Sequence, residues 1–152
     1  MKQYVIIGGG VAAVGAIEGI RSVDQKTPIV LISAENHAVY ARPLISYYLQ
    51  GKTDLTRMAY RPKDFYDKNG VTALWGATAE KIDTAEKKVV VSDGQEISYE
   101  KVLLATGSAP FVPPMKGLES VTHALTFQTM EDMLALEKLL SPDRRVLSIG
   151  AG

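Results

Sequence analysis

The chain contains no cysteine. A disulfide framework, a thiolate nucleophile and a cysteine-held zinc or iron–sulfur cluster are therefore excluded within these residues. Nor is there an excess of one charge: 17 lysines and arginines balance 17 aspartates and glutamates, so the composition offers no general attraction for nucleic acid or an anionic membrane. Long apolar runs are missing too. The apolar opening after Lys2 is interrupted by Gly8, Gly9, Gly10 and Glu18, and no segment approaches the roughly 18 residues of a membrane span. The expectation is a cytoplasmic protein. Only two histidines occur. His37 and His123 have no Cys, His or acid at ligand or triad spacing, so each reads as a loop or packing residue and no metal site is expected. What is present is 152 residues, 46% hydrophobic and 22% charged, enough apolar material for the core of a globular domain. Its partner is to be sought in a pocket.

The chain is punctuated by glycine. The β-branched and aromatic run at residues 3–7 predicts a buried strand, Gly8-Gly9-Gly10 a turn, and the small apolar residues from Val11 to Ile20 a helix. After the turn signal DQKTP, Ile29 to Ser33 read as a second buried strand, with Glu35 just past its end. These 35 residues form one βαβ unit. The next stretch is more polar, an insertion with short helices predicted over 44–50 and 62–69. A third strand is predicted over 71–75. From 78 to 100 the short alternating runs, with Asp93-Gly94 as one turn, predict an antiparallel meander. Lys101 to Ala105 read as another buried strand, and the proline-rich segment after it as extended loop. Thr129 is the expected N-cap of a helix over 130–140, with Asp132 placed for its positive end. Val146 to Ile149 read as a last strand, ending in Gly150-Ala151-Gly152.

A glycine-rich turn between a strand and a helix of small residues is a dinucleotide-binding fingerprint. In G-x-G-x-x-[GA] the first glycine permits the tight turn, the second lets a pyrophosphate approach the backbone, and the third position must be small for helix and strand to pack. Those positions are Gly8, Gly10 and Ala13. The helix then directs unpaired N–H groups and its positive dipole end at the phosphates. Glu35 is placed to accept the ribose hydroxyls, and its charge disfavours a 2′-phosphate. The fingerprint alone leaves FAD and NAD open, since both carry the ADP half it binds.

The stretches VIIGGGVAAVGAIEGIR, ARPLISYYLQG, KVVVSDGQEISYEKVLLATGSAP and VLSIGAG together resemble the FAD domain of the pyridine nucleotide–disulfide oxidoreductase superfamily. The likeness is greatest to rubredoxin and ferredoxin reductase-like and NADH oxidase-like branches. The resemblance implies an α/β fold, a Rossmann-like parallel sheet with an antiparallel β-meander laid on it. It implies an FAD-binding domain over residues 1–140 and the start of a NAD(P)-binding Rossmann domain at 145–152, so that the chain is a fragment whose C-terminal return segment is missing. Such a piece is expected to be inactive alone and to retain little FAD.

The same resemblance implies the site. Gly8, Gly9, Gly10 and Ala13 would face the FAD pyrophosphate or its helix, and Glu35 the adenosine ribose. Arg42 and Pro43 would approach the flavin side, the backbone of Ala79 the adenine edge, and Ala105, Thr106 and Gly107 would form a turn closing over the cofactor. Tyr47 stands where related branches often carry lysine, and the redox cysteines of the disulfide-reductase branches are absent. No catalytic side chain is expected, because the flavin holds the reactive atoms.

The implied activity is transfer of electrons from NAD(P)H through FAD to a small acceptor or a redox protein such as rubredoxin or ferredoxin. The oligomeric state is left open, with a homodimer one outcome. Two other functions compete. A nucleotide-binding module without catalysis would use the same fingerprint. A single-domain NAD-dependent dehydrogenase would use Tyr48 and Lys52 as a Y-x-x-x-K pair, but Gly51 would break the helix that must bring them together. Tyr47, Tyr48 and Trp75 read as core aromatics before flavin-stacking ones. Arg57, Arg61 and Lys63 read as a solvated face that an acidic redox protein could also use.

Overall fold

A computed structural model describes residues 2–150. The chain divides into two compact units: residues up to Ala41 together with Ala59–Ala109, and Arg42–Met58 together with the residues from Pro110 onward.

The first unit is built on a four-stranded parallel sheet. Strands β1 (Tyr4–Ile7), β2 (Ile29–Ser33), β3 (Val71–Trp75) and the late strand Lys101–Leu104 are ordered β3-β2-β1-late strand. Between the third strand and the late one run β4 (Ala79–Asp83), β5 (Lys88–Val91) and β6 (Glu96–Ser98), an antiparallel sheet of its own, which makes the late strand β7. Tyr4 is in register with Ile29 and with Lys101, and Ile7 with Ile32 and Leu104.

The uninterrupted apolar sequence of β1 and β2 follows from burial on both sheet faces, since successive side chains point to opposite sides. Ile6, Ile29 and Leu31 face one core with Ala13, Val14 and Ile17 of helix α1 (Val11–Val23) and with Phe65, Tyr66 and Val71. Val5, Ile7 and Ile32 face a second core with Val89, Val91 and Tyr99 of the meander segment. Ile17, Ile6 and Val89 are fully buried, each contributing roughly 1.5–3 kcal/mol by leaving water.

Helix α1 runs three residues past the predicted end. Arg21 explains the extension: its Nε donates to the Asn69 carbonyl at 2.7 Å and its Nη1 to the Asp24 carbonyl at 2.8 Å. The following turn is closed by Asp24, whose Oδ1 accepts from the Lys26 and Thr27 N–H groups at 3.0 and 2.9 Å and whose Oδ2 accepts from the Tyr4 hydroxyl at 3.0 Å. The Thr27 side-chain hydrogen bond, then the backbone N–H groups, hold this carboxyl well below the usual carboxylate range.

The second unit contains a 3₁₀ turn at Arg42–Leu44, helices α2 (Ile45–Leu49) and α3 (Leu55–Met58), a second 3₁₀ turn at Leu118–Ser120 and helix α5 (Met130–Leu139). Helix α4 (Phe65–Lys68) belongs to the first unit and is shorter than the segment predicted over 62–69. Helix α2 packs against α5, and Ile45, Met58, Met130 and Met133 are buried. The proline-rich segment from 105 to 115 forms neither helix nor strand, consistent with the predicted loop.

The strand predicted over 146–149 does not form: these residues pair with no strand among the described residues, and Val146, Leu147 and Ile149 are exposed. An apolar β-branched run becomes a strand only when a neighbour takes its backbone hydrogen bonds. Ala151 and Gly152, the end of the second glycine motif, lie outside the described residues.

Candidate functional site

The glycine turn leaves β1 at the carboxyl end of the parallel sheet, where the Gly8 N–H donates to the Ile32 carbonyl at 2.8 Å and the Ala105 N–H to the Ile7 carbonyl at 2.7 Å. Ladder bonds thus hold the ends of β2 and β7 on either side of the turn. Gly8 has φ +114°, and a Cβ there would overlap the Ala105 carbonyl and lie 3.0 Å from the Thr106 nitrogen. Conformation and space both require glycine. A Cβ on Gly9 would meet the Ser33 Oγ at 2.5 Å and the Trp75 ring at 3.4 Å, so the middle glycine packs against the end of β2.

Gly10 is different. It is the N-cap of α1 with φ −84° and ψ −170°, values open to any residue, and a Cβ there would have nothing within 4 Å. Neither strain nor crowding inside the chain calls for glycine. The helix it begins has no side-chain cap and no acidic residue in its first turn. Its positive end is therefore given no anion by the first turn. Ala13, one turn on, is 1% exposed and packs in the helix–sheet core, the small residue that close approach of helix and sheet needs.

Glu35 sits on the loop after β2, half-buried. Its carbonyl accepts from the Ser33 hydroxyl at 3.1 Å and from the Gly76 N–H at 3.3 Å, and its Oε2 accepts from the Tyr40 hydroxyl at 2.7 Å. The connection between β3 and β4 is drawn to the same place by the Ala77 N–H, which donates to the Ser33 carbonyl at 2.9 Å. Ala79 opens β4 beside a bulge between Ala79 and Lys81. Thr106 and Gly107 are exposed beyond β7. The first unit thus brings Gly8 next to Ala105 and Thr106, and Gly9 next to Ser33 and Trp75.

Arg42 and Pro43 belong to the second unit, where the Arg42 Nη1 donates to the Gln128 carbonyl at 3.2 Å. Helix α2 stops at Leu49, so Tyr48 and Lys52 do not share a helix, and the Lys52 ammonium lies 5.8 Å from the Tyr47 ring centroid. Trp75 is a core aromatic, edge-on to Tyr66 with centroids 5.1 Å apart. Arg61 is paired with Glu18 at 2.9 Å and lies over the Tyr60 ring. An apolar groove of about 410 Å³ between α1 and the edge strand β7, lined by Tyr4, Ile20, Val23 and Leu103, contains none of the predicted site residues. No group of three or more His, Cys, Asp or Glu side chains among the described residues could hold a metal. No helix among them is long and apolar enough to cross a membrane.

Two residues of this region were not singled out by the sequence, Ser33 and Tyr40. Ser33 reads as the end of an apolar strand, and Tyr40 lies in an irregular loop where no periodicity marks it.

The sequence model of the family described as pyridine nucleotide-disulphide oxidoreductase matches residues 2–152. The chain belongs to this family. Among its relatives, the assimilatory nitrate reductase electron transfer subunit of Bacillus subtilis is 34% identical over 99% of this chain and 20% of that protein. The nitric oxide reductase FlRd-NAD(+) reductase of Escherichia coli O157:H7 is 35% identical over 97% of this chain and 38% of that protein. The putidaredoxin reductase–putidaredoxin complex superposes with a TM-score of 0.80 at 26% identity, covering 93% of this chain and 35% of that one. The crystal structure of Fdr9 superposes at 0.76 and 31% identity over 94% of this chain and 34% of that one. The chain therefore spans roughly a fifth to two fifths of these family members.

Proposed function

We propose that the chain is the FAD-binding portion of an NAD(P)H-dependent flavoprotein oxidoreductase that passes electrons to a redox protein or small acceptor. The observation that carries the reading is Gly10: a glycine that nothing among the described residues requires, at the N-terminus of α1 without a side-chain cap, with no described atom within 4 Å of where a Cβ would stand. A pyrophosphate approaching the backbone supplies the missing reason. The donor set fits FAD on that ground. The N–H groups of the first turn of α1 take the phosphates, and Glu35 takes the ribose hydroxyls.

The backbone of Ala79 reads the adenine edge, Ala105, Thr106 and Gly107 close over the cofactor, and Arg42 and Pro43 serve its flavin side. When bound, FAD supplies the hydride-accepting and electron-passing chemistry, and these residues bind and orient it. In this reading residues 1–140 belong to the FAD domain, and residues 145–152 are the start of a NAD(P)-binding Rossmann domain. Two relatives, the nitrate reductase electron transfer subunit and the FlRd-NAD(+) reductase, support a protein acceptor.

The test is spectroscopic. The natural full-length protein is expected to carry the yellow flavin absorbance and to bleach on anaerobic NADH or NADPH. In an apoprotein titration Glu35→Ala is expected to lose about 1.5–3 kcal/mol of FAD affinity. A full-length protein that neither carries FAD nor takes it up overturns the reading. One that holds FAD but is not bleached by either nicotinamide is the non-catalytic module instead.

A further inference from the structure

The carboxylate of Glu35 is set by a neighbour that neither fingerprint nor spacing points to. Tyr40 is 8% exposed, and its hydroxyl donates to the Glu35 Oε2 at 2.7 Å. That distance is the usual one for an O–H···O hydrogen bond, and such a bond is stronger when the acceptor is a carboxylate.

The donor cannot drift, because the segment bearing it is tied from several sides. The Val39 N–H donates to the Tyr66 hydroxyl at 3.3 Å, the Tyr60 N–H donates to the Val39 carbonyl at 3.2 Å, and Tyr40 forms an antiparallel bridge with Ala59. Tyr66 is buried in the core, and burial pushes its phenol pKa up, so it remains a neutral hydroxyl able to accept from Val39. The Glu35 backbone is pinned as well, by the Ser33 hydroxyl and the Gly76 N–H on its carbonyl.

We propose that Tyr40 is a positioning residue for nucleotide recognition: its hydroxyl holds the Glu35 carboxylate in the orientation that receives the adenosine ribose of FAD. The proposal rests on the FAD reading above. A glutamate on an exposed loop has several side-chain torsions to lose on binding, and that ordering subtracts from affinity. The Tyr40 bond to Oε2 removes part of it in advance. The 2′-hydroxyl and 3′-hydroxyl of a ribose are donors on adjacent carbons, and a carboxylate accepts from both only when its plane is correctly turned. Ribose recognition thereby becomes a two-residue device, Glu35 making the contact and Tyr40 setting its angle.

The test is an FAD titration of the full-length apoprotein in four forms: wild type, Tyr40→Phe, Glu35→Ala and the double variant. Tyr40→Phe keeps the buried ring and is expected to weaken FAD binding about 5- to 10-fold, with the thermal midpoint of the apoprotein unchanged within a degree or two. In the Glu35→Ala background the same change is expected to have no further effect. An FAD analogue lacking the adenosine 2′-hydroxyl should lose more affinity for wild type than for Tyr40→Phe, a selectivity that loosened packing would not produce. Unchanged FAD affinity in Tyr40→Phe, or a full additive loss in the double variant, overturns the inference while leaving FAD binding itself intact. A wild-type protein that binds no FAD overturns the reading beneath it.

Discussion

Helix α5 begins at Thr129, whose hydroxyl accepts from the Asp132 N–H at 3.1 Å while the Asp132 carboxylate accepts from the Thr129 N–H at 3.0 Å. The same carboxylate accepts from the Gln128 N–H and the Thr126 hydroxyl, and Glu131 adds a second charge to the first turn. Helix α1 begins at Gly10, with no side-chain cap and no acid in its first turn. Every helix start exposes unpaired N–H groups and a partial positive charge. In α5 the chain satisfies them with its own side chains, and the structure is the purpose of the cap. In α1 the first turn supplies no such group, which costs stability unless an external anion supplies the missing acceptors. The two helix starts thus separate a structural end from a proposed binding end.

The strongest way to break this contrast is at Gly8, which sets where the α1 start lies. Gly8→Val places a side chain in a positive-φ position against the Ala105 carbonyl, and about 3 kcal/mol or more of stability is expected to be lost. A denaturant midpoint equal to wild type would show that the turn can relax. Gly10→Val tests the binding end itself. Its Cβ meets nothing in the chain, so the expected stability loss is below about 1 kcal/mol, while FAD affinity falls 10-fold or more in an apoprotein titration. Loss of folding with unchanged affinity would reverse the assignment.

Thr129→Ala acts on the structural end and is expected to cost about 1 kcal/mol of stability, read as a lower unfolding midpoint. The smallest effect is the pH dependence of that same cap. Burial works against the Asp132 charge, but the N–H groups of Gln128 and Thr129 and the hydroxyls of Thr126 and Thr129 outweigh it and hold the carboxyl below the usual range. A depressed folded pKa contributes stability that is present above the unfolded value of about 3.9 and lost as pH falls through the folded value. Stability is therefore expected to drop more steeply below about pH 4 in wild type than in Asp132→Asn. Parallel curves would show that the cap is not charged.

The strand, glycine turn and helix at the start of the chain were legible because each has a local cause: apolar run, backbone permission and small-residue spacing all act within 20 residues. The capping pair Thr129 and Asp132 was legible for the same reason. The length of α1 was not, since Arg21 extends it by reaching carbonyls at Asp24 and Asn69, and Asn69 is 48 residues away in sequence. The predicted strand over 146–149 shows the converse. Its residues have the right local preference and no partner among the described residues to accept their hydrogen bonds.

By itself the sequence determined the parallel α/β plan, the position of the glycine turn and the residue types proposed to meet a dinucleotide, because backbone sterics and hydrophobic period are local properties. Only the tertiary structure decided that Gly8 is held by Ala105, that Gly9 serves Ser33, that Gly10 is open, and that Tyr40 holds Glu35. Those distinctions depend on which segments pack together after the sheet closes, and three adjacent glycines with the same side chain carry no sign of it.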